Sequence, residues 1–317
     1  MTPPKTESCS FPLVITDQSS MRKWSRTVRH RQGLTLALVP TMGYLHRGHI
    51  ALIEEARKHA DAIVVSIYVN PGQFAPSEDL STYPRDFPGD LEKLRVLGCV
   101  NAVFCPRDLY DYRDAGSRGG RRDEGGVAAR SCVEERECGH ETWVRVERLE
   151  KGLCGKSRPV FFRGVATVVC KLFHVVEPDV AVFGKKDYQQ WRIIQRMVRD
   201  LDFDLRIIGS EIVREDDGLA MSSRNVNLTP EERQKALSIS RSLSMAKHAA
   251  ENGEHGCQIL KDSVIRAIEE AGGRIDYAEI VEQDTLEAAT EIRSPVVFCV
   301  AAWFGKVRLI DNMEIDS

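Results

Sequence analysis

The chain has 317 residues, 42% of them hydrophobic, enough for one large core or, more usually at this length, two smaller ones. Its 44 basic and 47 acidic side chains leave a net charge of −3, which excludes a general polyanion binder, so any phosphate must be met by a local constellation. No stretch approaches the ~18 apolar residues of a membrane span, and the amino terminus, MTPPKTESCSFPLVITDQ, has the marks of neither a secretory signal nor a transit peptide.

In chain order, short apolar runs predict strands at 34–40, 62–69, 101–105, 179–183 and 204–209. They are apolar on both faces, as buried parallel strands are. Helical periodicity fills the gaps at 48–59, 89–97, 164–176 and 187–200. This alternation predicts an α/β fold, a doubly wound, Rossmann-like parallel sheet with helices on both faces, over residues 1–208. Residues 113–141, rich in Gly, Arg and Glu and nearly devoid of large apolar side chains, interrupt the pattern and read as a mobile surface insertion. Residues 152–157, GLCGKS, imitate a phosphate-binding P-loop but are too short, with Glu150 where the motif needs glycine, and read as a surface loop.

Beyond residue 210 the texture changes. Thr229-Pro230-Glu231-Glu232 announces a helix, with a hydroxyl cap, proline in the first helical position and acids in the first turn. A second helix follows at 256–271, then strands at 275–282, 296–302 and 306–310. Residues 209–317 therefore form a smaller α+β domain, expected to act as a lid. The nine cysteines are scattered, none of them in a C-x-x-C pair, and Cys132, Cys138 and His140 fit no common zinc spacing. They read as reduced thiols of a cytoplasmic protein.

The stretch PTMGYLHRGH, residues 40–49, places two histidines and two glycines on the turn that leaves the 34–40 strand. The first βα turn of a doubly wound sheet is the usual phosphate site. A helix beginning near Gly48 or His49 would turn free backbone N–H groups and a positive dipole end toward an anion. Gly48 would let a ligand lie against the backbone, and His46 and His49 would donate to phosphate oxygens. No G-x-G-x-x-G follows a strand, which argues against a dinucleotide oxidoreductase.

H-x-G-H on this turn and M-S-S-R (Met221–Arg224) about 175 residues later resemble the nucleotidyl-transferring superfamily that includes class I aminoacyl-tRNA synthetases. Within it the chain resembles the pantothenate synthetase (pantoate–β-alanine ligase) family, in a longer, plant-like form. The resemblance rests on PTMGYLHRGH (40–49), SIYVNPGQF (66–74), YPRDFPGDL (83–91), FRGVATVV (162–169), FGKKDYQQ (183–190), REDDGLAMSSRN (214–225) and RLIDN (308–312), and spans nearly the whole chain.

The resemblance implies ATP-dependent amide formation through pantoyl-adenylate, with AMP and pyrophosphate released. The first step needs positioning and charge neutralisation rather than a base, since a carboxylate is already ionised. His49, His46, Lys186, Arg224, Ser222 and Ser223 are the implied catalytic donors, with His49 foremost. ATP would lie against Pro40, Thr41, Met42, Gly43 and Gly48 on one strand end. Gly184, Lys185, Lys186, Asp187, Val213 and Met221 would meet it from the other side. Asp187 would also cap the helix it opens, and Gly218 would let its loop close over ATP. Gln73 and Gln190, with Met42, Asn70 and Tyr83, would hold pantoate and β-alanine. Asp90 would ligate Mg²⁺, although Gly89 stands where an acid is common. Lys185 stands where Glu is common, and the sequence leaves its direction open. A homodimer is implied; nucleic acid and membrane are not partners. The alternatives are another nucleotidyltransferase of the superfamily or a non-catalytic ATP-binding sensor. A tRNA synthetase finds neither room for an anticodon-binding region nor a basic face.

Overall fold

In the computed structural model, residues 11–112, 130–136 and 138–316 are described. The chain opens with β1 (Leu13–Ile15) and α1 (Gln18–Arg26), which runs into a π-helical turn. Next come β2 (Leu36–Thr41), α2 (Arg47–Ala56), β3 (Ala62–Ile67), α3 (Phe87–Leu97) and β4 (Ala102–Phe104). Two short helices, α4 (Cys132–Glu135) and α5 (Leu153–Ser157), precede α6 (Phe161–Val176), β5 (Val180–Gly184), α7 (Tyr188–Asp200) and β6 (Arg206–Ser210). The remainder is α8 (Pro230–Glu251), α9 (Cys257–Glu270), β7 (Arg274–Glu282), β8 (Val296–Phe304) and β9 (Val307–Ile315).

Six strands form a parallel sheet in the order β1-β4-β3-β2-β5-β6, as predicted for the first part of the chain. Side chains alternate along β2: Leu36 and Leu38 join a core built with α1, α6 and α7, whereas Ala37 and Val39 join one built with α2 and α3. That two-sided burial is why these strands read as unbroken apolar runs. The chain steps outward from β2 through β3 to β4, then returns to β2's other side with β5 and β6. The order reverses between β2 and β5, and the crevice beyond their carboxyl ends is the expected ligand position.

β7, β8 and β9 form a separate antiparallel sheet covered by α8 and α9. Val296, Phe298, Val300, Ala302 and Phe304 face those helices, while Val297 and Cys299 pack into the first sheet's core. The second sheet is thus seated on the first through its own reverse face. No helix among the described residues is long and apolar enough to cross a membrane.

Two expectations change. Residues 113–129 and 137 of the expected insertion lie outside the described residues, but the segment around α4 is not a bare surface loop: Ser131, Val133 and Cys138 are buried. Ser131 and Glu134 form a reciprocal capping box, and Glu134 also accepts from Arg163 of α6. The GLCGKS stretch likewise folds as α5, with Leu153, Cys154 and Gly155 buried. None of the eight described cysteines forms a disulfide.

Candidate active site

β2 ends at Thr41, whose hydroxyl donates to the Ser66 carbonyl and accepts from the Gly43 N–H. The chain then turns through two left-handed residues, Gly43 (φ 85°) and Tyr44 (φ 52°). Asp90 fixes this turn: one carboxylate oxygen accepts from the Tyr44 N–H (2.7 Å), the other from the Leu45 N–H (2.6 Å). Its side chain is only 1% exposed, and burial raises its pKa against those two amides. Asp90, expected to ligate Mg²⁺, is fully buried and uses both carboxylate oxygens to hold this turn. No cluster of three or more His, Cys, Asp or Glu able to hold a metal occurs among the described residues. A metal held by the protein alone does not fit this site. Asp90→Asn should lower the thermal midpoint, since one amide then faces an NH₂ group at a cost of about 1–3 kcal/mol, yet leave any response to added Mg²⁺ unchanged. Thermal unfolding and Mg²⁺ titrations check both parts.

The two histidines cap α2. His46 is the N-cap, and its Nδ1 accepts from the Gly48 N–H (3.1 Å), while His49 Nδ1 accepts from the His46 N–H (3.3 Å). The imidazoles thus take the places of the hydroxyl and carboxylate of a capping box. A Cβ on Gly48 would sit 2.8 Å from His46 Cε1, so glycine is required for the ring to fold over the backbone. This corrects the expectation of a free Gly48 amide for phosphate. With Nδ1 accepting, each neutral ring carries its proton on Nε2 and acts as a donor there. Burial, reinforced by Lys186, depresses His46 to about 4; burial, then His46 and Lys186, depresses His49 to about 3. Both rings are neutral at pH 7. The unfolded chain takes up these protons below pH ~6.5, so their contribution to stability is complete above that value and lost as pH falls toward 4 and 3. The denaturation midpoint should drop between pH 6.5 and 4, and less so in a His46→Asn, His49→Asn double variant.

After β3, Asn70 and Gln73 lie on a tight turn against α6. Asn70 Nδ2 donates to Gln73 Oε1 (2.9 Å) and to the Gly164 carbonyl (3.1 Å), and Gln73 Nε2 reaches Met42 Sδ (3.2 Å). Gln73 is thereby held rigidly at the cleft. Arg158, just past α5, binds Glu78 and stacks 3.9 Å from the Phe161 ring centre.

The opposite wall comes from β5 and from residues 211–224. Arg214 and Ala220 bridge to form a hairpin with Gly218 (φ 96°) in its turn. Arg233 ties Glu215 and Asp217, and Asp311 ties Arg214. Gly218 thus serves a pinned turn rather than a free hinge. Ser222 Oγ accepts from the Arg224 N–H (3.3 Å). Asp79 binds the Arg224 guanidinium at Nε (3.2 Å) and Nη2 (3.3 Å), and the Tyr83 ring lies 5.6 Å from it.

These walls enclose a cleft of about 270 Å³. His46, Gly48 and His49 line one side, and Lys186, Asp187, Ser222, Ser223 and Arg224 line the other. The walls approach closely: a Cβ on Gly48 would lie 3.6 Å from Met221 Cβ. Pro40, Thr41, Met42, Gly184, Val213 and Met221 also line the cleft, as do Asn70, Gln73, Tyr83 and Gln190.

The sequence matches the family described as pantoate-beta-alanine ligase over residues 13–314. A pantoate–beta-alanine ligase from Lotus japonicus is 65% identical over 309 residues, covering 96% of this chain and 99% of that protein. The chain belongs to the pantoate–β-alanine ligase family. Solved structures agree. The pantothenate synthetase of Thermus thermophilus superposes with a TM-score of 0.78 at 38% identity, covering 96% of this chain and all of that one. The pantoate-beta-alanine ligase of Francisella tularensis, solved with a β,γ-ATP compound and β-alanine, gives 0.72 at 28% identity, covering 95% and 97%.

Three residues expected at the ligase's nucleotide site or its metal lie outside the cleft lining: Gly43, Lys185 and Asp90. A Cβ on Gly43 would meet Ile67 Cγ2 at 3.1 Å and Asp90 Oδ2 at 3.2 Å, so it serves the turn. Lys185 pairs with Glu211 (2.6 Å), which lines the cleft, and with Glu314 (2.8 Å), so its ammonium is held by two carboxylates. Asp187 makes no capping bond to α7, contrary to expectation, and stays available at the cleft. Sequence reading missed Arg158 and Asp79, together with the inner end of the cleft, where Cys154 Sγ lies 3.1 Å from Tyr277 Oη and 3.5 Å from Arg308 Nη2. The partners of these side chains are remote in sequence, so no local spacing announces them.

Proposed function

We propose that this ligase condenses pantoate with β-alanine through pantoyl-adenylate. The observation that carries the reading is the single cleft in which neutral His46 and His49 face Lys186 and Ser222–Arg224. A pantoate carboxylate oxygen attacks the α-phosphorus of ATP, and the bond from that phosphorus to the bridging oxygen breaks, so pyrophosphate leaves. The β-alanine amine then attacks the acyl carbon, and AMP leaves with the oxygen it received. His49 and His46 donate from Nε2 as charge gathers on the phosphate, and Lys186 and Arg224 oppose the charge of the leaving pyrophosphate. Ser222 and Ser223 supply hydroxyls, and Asp187 is placed for the ribose. Gln73 and Gln190 hold pantoate without adding negative charge, alongside Met42, Asn70 and Tyr83.

Mg²⁺ enters in this reading as part of the substrate Mg-ATP, consistent with Asp90 being occupied by backbone amides. The family resemblance supports a cytoplasmic homodimer, which sedimentation and fractionation test.

Mass spectrometry with ATP, pantoate and β-alanine, each omitted in turn, tests the function. Pantothenate and AMP should appear together only in the complete mixture; AMP without pantoate, or pantothenate without AMP, overturns the reading. Neutral histidines further predict a kcat/KM profile with no inflection near pH 6.5 from His46 or His49.

A further inference from the structure

The closing RLIDN stretch supplies no reacting group, yet Asp311 and Asn312, each 4% exposed, reach both walls of the cleft. Neighbouring residues of a strand point to opposite faces, which lets adjacent positions of β9 serve two separate segments. On one face, Asp311 accepts from Arg214 Nη1 (2.7 Å) and Nη2 (3.0 Å). Arg214 also donates to the Gly218 carbonyl (3.2 Å) and stands at the root of the hairpin from which Ser222 and Arg224 emerge. On the other face, Asn312 Nδ2 donates to both the Lys185 (2.9 Å) and Lys186 (3.0 Å) carbonyls. Glu314, two residues on and so on the same face, takes the Lys185 ammonium at 2.8 Å. Thus one edge strand grips the backbone that presents Lys186 and, through Arg214, the segment that presents Ser222 and Arg224.

We propose that Asp311 and Asn312 are positioning residues for the ligase reaction, with β9 acting as the spacer that sets Lys186 against Ser222–Arg224. The inference rests on the reading that these groups share one triphosphate. A displacement of about 1 Å at such groups costs on the order of 10²-fold in rate. Asn312→Asp keeps the shape of the side chain but turns an acceptor toward two carbonyl oxygens, which drives the 185–186 turn away.

The test is a double-mutant cycle, read as pantoate-dependent ATP–pyrophosphate exchange, with pantoate affinity measured by calorimetry alongside. Asn312→Asp should cut kcat of exchange roughly tenfold or more and leave pantoate affinity unchanged. In a Lys186→Ala background the same substitution should cost almost nothing further. An equal loss in both backgrounds, or no loss in the wild-type background, overturns the proposal. If Lys186→Ala itself leaves exchange untouched, the triphosphate reading fails instead, and the two failures are told apart. Should Asn312→Asp not fold, Lys185→Met removes the Glu211 and Glu314 pairs of the same strap, along with the ammonium's contact over the Trp191 ring. It must then show the same dependence on Lys186, and additive losses would overturn the proposal in that form too.

Discussion

Replacing His49 with alanine should slow adenylate formation by about 10²-fold or more, the usual loss when a preorganised transition-state donor is removed. The magnitude follows from how the ring is held. Its Nδ1 is engaged by the His46 N–H at 3.3 Å, its ring centre is 4.0 Å from that of His46, and burial with the nearby Lys186 keeps it uncharged. The donor is thus fixed in direction and protonation before substrate arrives, so no reorganisation is needed as charge develops. Alanine also deletes half of the α2 capping box, which costs roughly 0.5–2 kcal/mol of stability. His49→Asn separates the effects, because its amide oxygen can still accept from His46 while the Nε2 donor is gone. Both variants should be comparably slow, with the thermal midpoint falling mainly in the alanine form. Near-normal exchange in His49→Asn would remove His49 from the chemistry.

The second large effect is on folding. Gly164, in the first turn of α6, lies so close to the Asn70–Gln73 turn that a Cβ would sit 2.0 Å from the Gly72 carbonyl oxygen and 2.5 Å from the Gln73 nitrogen. Those atoms are backbone, so Gly164→Ala must push the helix and the turn apart. Overpacking that side chains absorb costs about 1–3 kcal/mol, and here the loss should meet or exceed the upper end. Separation would also break the Asn70 bond to the Gly164 carbonyl, so Gln73 loses its support and pantoate KM should rise in whatever protein folds. A Cβ on Gly152 meets nothing within 4 Å, so Gly152→Ala should stay within about 0.5 kcal/mol of wild type. Denaturant midpoints check both; equal midpoints for the two variants would refute the packing argument.

The sheet was legible where both faces of a strand are buried. β2, β3 and β5 are continuous apolar runs because alternate residues feed separate cores, and the apolar periodicity of the helices on each side is likewise visible in the sequence. β1 was not legible: it has three residues, and Leu13 and Val14 are exposed. The histidine turn consequently follows the second strand of the chain, although it opens the doubly wound unit. β9 was expected to end at residue 310 but continues to Ile315, because Asp311 and Asn312 break the apolar pattern to serve the cleft. The histidine turn and Gln73 drew attention because they follow the ends of β2 and β3, whereas the M-S-S-R segment, eleven residues or more beyond β6, was reached only through the family resemblance. Asp90, Lys185 and Gly43 lie outside the cleft lining, Asp90 holding backbone amides and Lys185 carboxylates that are distant in sequence. Local spacing identifies a residue at the edge of a site without telling which way it faces.

The most direct measurement follows one oxygen atom. With pantoate labelled by ¹⁸O in its carboxylate, attack on the α-phosphorus and later cleavage of the acyl–oxygen bond must leave one labelled oxygen on AMP and one in the amide carbonyl of pantothenate. Mass spectrometry should find that single label in the AMP. Unlabelled AMP, or label recovered in pyrophosphate or inorganic phosphate, would contradict an adenylate formed between the imidazoles of His46 and His49 and the Ser222–Arg224 segment.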